Sequence, residues 1–433
     1  MSTGSSDNRR EVSKSEITPG RQGGVSLRNL RTFSSLQSRD YRFYFVGMIG
    51  QWASMRMQQM TNSLLIYRLT GSAVLLGTMA IANSLPMVLL SLFGGVIADR
   101  LPKKHVLLVG LGSQAAVALA VALALISGYL SPQNPGSWWF LIVSSFLQGS
   151  IMAFMSPAQR AVIPEIVKRE QVTNAVALNA MGMNVLGLLA PASTGYIIDA
   201  FDFKAVYLIM TVLYLMGMTF ISFITITGRA VASAGGALSD IREGFRYLRR
   251  ETIVMFILVW AFFGMGSGMT FQRLMPIFAD DILKVGAKGM GLWLTVAGAG
   301  AIISSLTFAS MTPRRRGFTH VGSGIFHALV TVFFVFNQSW YPSLFLVFLF
   351  GLGNTVGMMM TQALLQDYTA AEYRGRVFGI HTIIQGLTGM MAFFIALLAT
   401  AVGAPWAVGG FSMVVIFLGI MMLTFNPRYR QMT

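Results

Sequence analysis

After residue 40 the chain alternates long apolar stretches with short polar breaks. A helix needs about 20 apolar residues to cross the hydrocarbon core of a bilayer. The stretches have that length and lack the ten-residue alternation of a membrane β-barrel. Twelve spans are predicted, at 44–67, 74–97, 106–130, 138–162, 175–198, 205–226, 253–278, 289–311, 321–336, 344–365, 377–402 and 407–425. The fold class is therefore an all-α membrane protein. Residues 1–40 read as a disordered and interfacial tail. The longest internal break, 227–252, separates an N-terminal half (41–226) from a C-terminal half with a short tail (253–433). Within that break Leu238, Ile241, Phe245 and Leu248 recur at helical spacing, opposite Asp240, Arg242, Glu243, Arg246, Arg249 and Arg250. This pattern predicts an amphipathic helix lying at the membrane interface.

The two halves repeat. The connection 159–174 aligns with 361–376, matching Glu165 with Asp367 and Glu170 with Glu372, which is the internal repetition of a transporter built from two six-helix units. The first span is polar for a membrane helix. At 100° per residue Gln51, Gln58 and Asn62 make one stripe, and Arg56, Gln59 and Ser63 make an adjoining one. A charge at mid-span costs about 2.5 to 3.5 kcal/mol on insertion scales. Arg56 is therefore expected to face a hydrated cavity, the alternative being that carbonyls or amides tie it down for packing. Together with polar positions in other spans, the candidate substrate-binding set is Arg56, Gln59, Asn62, Gln148, Asn184, Arg273 and Asn354. No carboxylate sits at mid-span, so no Asp/Glu proton relay is visible.

Composition narrows the function. With 54% hydrophobic and 11% charged residues among 433, the chain is not a soluble globular protein. The net charge of +16 does not indicate nucleic acid, because the bases fall in short loops between spans. Of the 32 bases, all but Arg56, Arg68, Lys204, Arg273, Lys284 and Lys288 fall on one side when the predicted spans are threaded. The positive-inside bias makes that side cytoplasmic, with both termini, in an inner or plasma membrane. There is no cysteine, and the four histidines are scattered without a carboxylate cluster. No catalytic site, metal or cofactor is expected, and the absence of a phosphate-binding loop argues against direct ATP coupling. The expected partners are the lipid bilayer and a small-molecule substrate, acting on a monomer.

One stretch organises the rest. The apolar run from Val74 stops at Asp99-Arg100-Leu101-Pro102-Lys103-Lys104. The order Gly95, Ala98, Asp99, Arg100, Lys103, Lys104 resembles motif A of the major facilitator superfamily, with Pro102 where the family usually has Gly. In the fifth span Asn184, Gly187, Pro191 and Gly195 share one arc within GLLAPASTG, which resembles motif C of the superfamily's antiporters, although Ala190 and Thr194 replace two glycines. The segments Arg39–Arg42, Ser156–Glu165, Ser239–Glu251 and Glu372–Val377 are similar to loops of its DHA3-like drug and siderophore exporters.

This resemblance implies the major facilitator fold, with twelve helices in two six-helix pseudo-repeats. It also implies a secondary active transporter exporting a small organic solute, drug-like, siderophore-like or otherwise amphiphilic, by rocker-switch alternating access coupled to a proton or another ion. Gating would then fall to Gly95, Asp99, Arg100, Lys103, Lys104, Arg374, Arg376, Gly187 and Pro191. Asp99 would latch onto the amino end of the eleventh helix. A lysophospholipid or nutrient carrier on the same fold is the alternative, and a membrane-embedded enzyme the remote one.

Overall fold

The computed structural model describes residues 31–134, 136–225, 237–310 and 315–425; within these, the side chains of 31–33, 91–100, 237–241 and 309 are outside the description. Twelve α-helices follow in order: α1 (Arg39–Thr70), α2 (Ala73–Arg100), α3 (Lys103–Ile126), α4 (Trp139–Ile166), α5 (Val172–Ser222), α6 (Ala237–Arg250), α7 (Thr252–Ile277), α8 (Gly286–Ala309), α9 (Arg316–Val335), α10 (Trp340–Tyr368), α11 (Arg374–Val402) and α12 (Ala404–Phe425). No strand occurs among the described residues. Ten helices are long and apolar enough to cross a membrane. The polar residues of α1 keep it out of that ten, and α5 crosses twice, so the chain makes twelve crossings. The first six form one half and α7 to α12 the other, with α6 between them.

Local chemistry sets the helix ends. Ser38, in extended conformation, accepts the Tyr41 N–H to begin α1, and Gly71, with φ 61°, ends it in the left-handed region. The first departure from the predicted spans is one of form, in α5. The break expected at 199–204 is present, but as a sharp kink between two helices at Asp202 (φ 69°, ψ 169°) rather than a loop, and the Asp202 carboxylate accepts the Phe203 N–H at 2.6 Å. A short polar side chain that satisfies the local backbone lets an L-residue hold this conformation. A second departure concerns the expected tail: Arg31–Gln37 forms a short 3₁₀ helix. There the buried Ser35 donates through N–H and Oγ to Asn174 Oδ1 at 3.0 and 2.8 Å.

The end where α1 starts and α2 finishes is the basic end. Here two ion pairs occupy equivalent places in the repeats: Lys103 with Glu165 joins α3 to α4, and Arg316 with Asp367 joins α9 to α10. Lys104 Nζ donates to the Ser222 and Ile224 carbonyls at 2.7 and 2.8 Å, placing a cation at the negative end of α5. Helix α6 docks on the start of α11 through only part of the expected stripe. Phe245 is 52% exposed, while Leu248 is buried. Contact runs through Gly244, where a Cβ would lie 2.9 Å from Ile380 Cδ1, and through Tyr247, stacked on Tyr373 at 4.4 Å. The side chains of Leu238 and Ile241 lie outside the described residues.

Candidate functional site

The two polar stripes of α1 go to different places. The Gln51, Gln58 and Asn62 stripe turns into the N-terminal half. Gln159 Nε2 donates to Gln51 Oε1 at 2.7 Å and Tyr214 OH to Gln58 Oε1 at 3.3 Å. Asn62 Nδ2 donates to Gln148 Oε1 at 3.2 Å, and Asn62 Oδ1 accepts from Tyr207 OH at 2.5 Å. Asn62 and Gln148, both buried, thus tie α1 to α4 and α5. The Arg56 stripe faces the other way. Arg56 Nη1 donates to Gln59 Oε1 at 3.4 Å, and a Cβ on Gly187 would lie 3.6 Å from Arg56 Nε. Gln59 and Asn184 are both exposed.

The arc of α5 that carries Gly187 is also the seam between the halves. Pro191 has no N–H, so the Gly187 carbonyl loses its helical donor; a Cβ on Gly298 of α8 would lie 3.4 Å from that oxygen. Thr295 Oγ1 donates to the Leu188 carbonyl at 2.8 Å. Farther along, α5 and α8 touch by backbone: a Cβ at Gly195 would lie 2.5 Å from the Ala287 carbonyl oxygen, and one at Gly291 2.5 Å from that of Pro191. Only glycine permits this approach.

At the end opposite the basic loops, polar contacts cross the seam. Arg68 grips Asp280 at two points, Nε to Oδ2 at 2.9 Å and Nη2 to Oδ1 at 3.1 Å. Tyr67 OH donates to Asp281. Both acids lie on a wide π-helical turn, Phe278–Ile282, that presents consecutive residues to α1. Toward the basic end the seam opens. On α5 it runs from buried Gly195 and Pro191 to exposed Ala180, Ala177 and Thr173 or their half-buried neighbours; on α11 it runs from buried Ala396 and Gly386 to exposed Gly379 and Gly375 or theirs.

The remaining predicted residues are scattered around this wedge. Arg273 of α7 is half-buried, with no hydrogen-bond or ion-pair partner among the described residues. Asn354 of α10 is half-buried near Gly268 of α7. Arg374 Nε donates to the Thr369 carbonyl at 3.2 Å, and Arg376 Nη2 lies 2.8 Å from Glu243 Oε2 of α6. The expected roles of Gly95, Asp99 and Arg100 rest on side chains outside the described residues. The seam-crossing pair of Arg68 and Asp280 is absent from the sequence-predicted set. A signal for it exists, as a base just after the first span and two acids just after the seventh, which are corresponding places in the repeats.

Comparisons with known proteins agree with this architecture. Residues 44–393 match the family model described as Major Facilitator Superfamily. The staphyloferrin A transporter of Staphylococcus aureus is 21% identical over 235 residues, 54% of this chain and 58% of the relative, so the match spans less than two thirds of that relative's length. Macrolide efflux protein A of Streptococcus pyogenes is 22% identical over 369 residues, 81% of this chain and 89% of the relative. A peptide transporter of the POT type, solved in complex with sulfate, superposes with a TM-score of 0.73 at 13% identity, covering 90% of this chain and 95% of that one. With its twelve crossings in two repeated halves, the chain belongs to the Major Facilitator Superfamily and is a membrane transporter.

Proposed function

We propose that the protein exports a small amphiphilic organic anion, of siderophore or drug type, by rocking its two halves about the seam in exchange for a coupling ion. Arg56 carries the reading. Its guanidinium sits mid-helix at the seam with Gln59 as its hydrogen-bond partner, and the described residues place no carboxylate beside it. A half-buried cation at mid-span without a counter-charge is costly, and an anionic solute entering from the open side would offset that cost. The charge bias of the loops assigns the open side to the cytoplasm, so this conformation is read as the loading state, with both termini inside and the protein a monomer in the cell membrane. The staphyloferrin A relative supports an anionic solute, and the macrolide relative supports a drug-sized amphiphile.

The test is uptake of labelled staphyloferrin A and of labelled erythromycin into inside-out vesicles carrying equal amounts of each variant. Arg56→Lys keeps the charge and loses the two-point fork, whereas Arg56→Gln loses both. For the anion, half-saturation should rise in that order, by about 10-fold or more for Gln. Near-native transport of the anion by both variants would make Arg56 a packing residue and remove the basis for an anionic substrate.

A further inference from the structure

A second buried polar place lies in the C-terminal half, away from Arg56. Between α7, α9 and α10 is a cavity of about 20 Å³, lined by Trp260, His320, His327, Asn354 and Thr361 among others. That volume holds about one water molecule. His327 is 2% exposed, and its Nε2 has no hydrogen-bond partner. The backbone carbonyl of Gly324, one turn back, is the ring's hydrogen-bonding neighbour. A carbonyl only accepts, so Nδ1 carries the hydrogen of the neutral ring and Nε2 presents a bare lone pair.

That lone pair shares its space with a second acceptor. A Cβ built on Gly268 would lie 3.0 Å from Asn354 Oδ1 and 3.4 Å from His327 Nε2, so the missing side chain of one glycine leaves room where two acceptors converge. Phe350 closes another side, edge-on to the imidazole at 5.2 Å. Two acceptors with no donor between them are a poor arrangement for a neutral site. They suit an imidazolium, whose Nδ1–H is taken by Gly324 and whose Nε2–H is directed at Asn354.

The surrounding charges do not compete. Among the described residues, His320 is the other titratable side chain lining the cavity, and its Nε2 lies 2.8 Å from Thr361 Oγ1. Because that hydroxyl also lies 2.9 Å from the Gly357 carbonyl, to which it donates, His320 Nε2–H is the donor to Thr361. In α7 the one charged residue is Arg273, five positions from Gly268 and on a different face; in α10 Asp367 pairs with Arg316 at the basic end; α12 carries none.

We propose that His327 Nε2 and Asn354 Oδ1 form a proton-binding site, and that this is where the carrier takes up its coupling ion. The proton arrives on water entering between α7 and α10, rides as imidazolium, and leaves to water on the other side once the halves have rocked. The coupling role rests on the exporter reading above; the proton site does not.

Full-length protein in nanodiscs, labelled with ¹³C at histidine Cε1, tests the site directly. The chain has four histidines, and the resonance lost in His327→Gln identifies the relevant one. It should titrate with a single midpoint, and that midpoint should rise by about one unit or more in Asn354→Asp, where a carboxylate faces the ring. In Gly268→Ala, which fills the shared space, the titration should be lost. A flat resonance in the unmodified protein, or a midpoint indifferent to Asn354→Asp, overturns the site. In proteoliposomes with labelled staphyloferrin A, His327→Gln should abolish accumulation driven by a pH gradient and leave exchange at equal pH within about twofold. Normal gradient-driven accumulation in that variant overturns the coupling role. A titrating His327 in a protein that moves no staphyloferrin A supports the proton site and tells against the exporter reading alone.

Discussion

Replacing Asp280 with Asn should open the end of the bundle that Arg68 now holds shut. The pair is bidentate, with oxygens 2.9 and 3.1 Å from the guanidinium nitrogens, and its side chains are 34% and 19% exposed. Exposed ion pairs contribute about 0.2 to 1 kcal/mol, and hydrogen bonds to charged groups about 1.5 to 3 kcal/mol. Partial exposure puts this pair between them, at about 1 to 2 kcal/mol. Asn keeps one acceptor and loses the charge, so the closed-to-open ratio should fall about 5- to 30-fold. The chain has no cysteine, so spin labels go on directly. Gln133→Cys with Gln338→Cys reports the Arg68 end, and Glu170→Cys with Glu372→Cys reports the basic end. In nanodiscs the first distance distribution should lengthen and the second shorten in Asp280→Asn. If neither moves, the Arg68–Asp280 pair does not set the conformational balance.

Further expectations follow from the interior. Tyr207→Phe should cost about 0.6 kcal/mol and at most about 1.7 kcal/mol, and Asn62→Leu, which also removes the bond to Gln148, should cost more, each lowering the midpoint of heat-induced aggregation by a few degrees. The double variant should fall short of the sum, because the residues share one bond. Gly291→Leu should drive a side chain into the Pro191 carbonyl and shorten the Glu170/Glu372 label distance, since the seam cannot close where it now does. Tyr247→Ala removes a stacked pair worth about 0.5 to 1.5 kcal/mol and the bond from Ala370 N–H at 3.2 Å. Faster amide hydrogen exchange at 370–376 with unchanged membrane insertion is the expected result, and loss of inserted protein would make α6 part of the core.

The crossings were legible because a bilayer imposes one length on every apolar run, and a dozen apolar runs of about 20 residues could not all be buried inside one soluble core of this size. The polar stripes of α1 were legible as two, but not as structural and open respectively, because an amide that binds Tyr207 and an amide beside Arg56 look alike in a sequence. The break between the fifth and sixth spans was legible, but not its compression into one kink at Asp202, since a single residue with positive φ leaves no compositional trace. The docking face of α6 was legible only in part, with Leu248 buried and Phe245 exposed. Hydrophobic spacing points to Phe245, whereas the approach to Ile380 depends on the bareness of Gly244. Arg68 and Asp280 stand 212 positions apart, and no local pattern announces a pairing at that distance. Asp99, the residue around which a gating argument would naturally be built, lies outside the described side chains, so its latch remains a proposal.

The twin ion pairs at the basic end bear on how the two halves grew apart. One half spans the gap with a lysine and a glutamate, the other with an arginine and an aspartate. The longer base is matched with the shorter acid, so the two combinations bridge similar gaps between the ends of their helices. Duplicated segments drifting independently would break such a strut whenever one member changed length alone. What the two copies share at this place is therefore a reach and a sign of charge, and an exchange of one pair for the other as a unit should be tolerated where either single replacement, Glu165→Asp or Asp367→Glu, would leave its helix pair slack or strained.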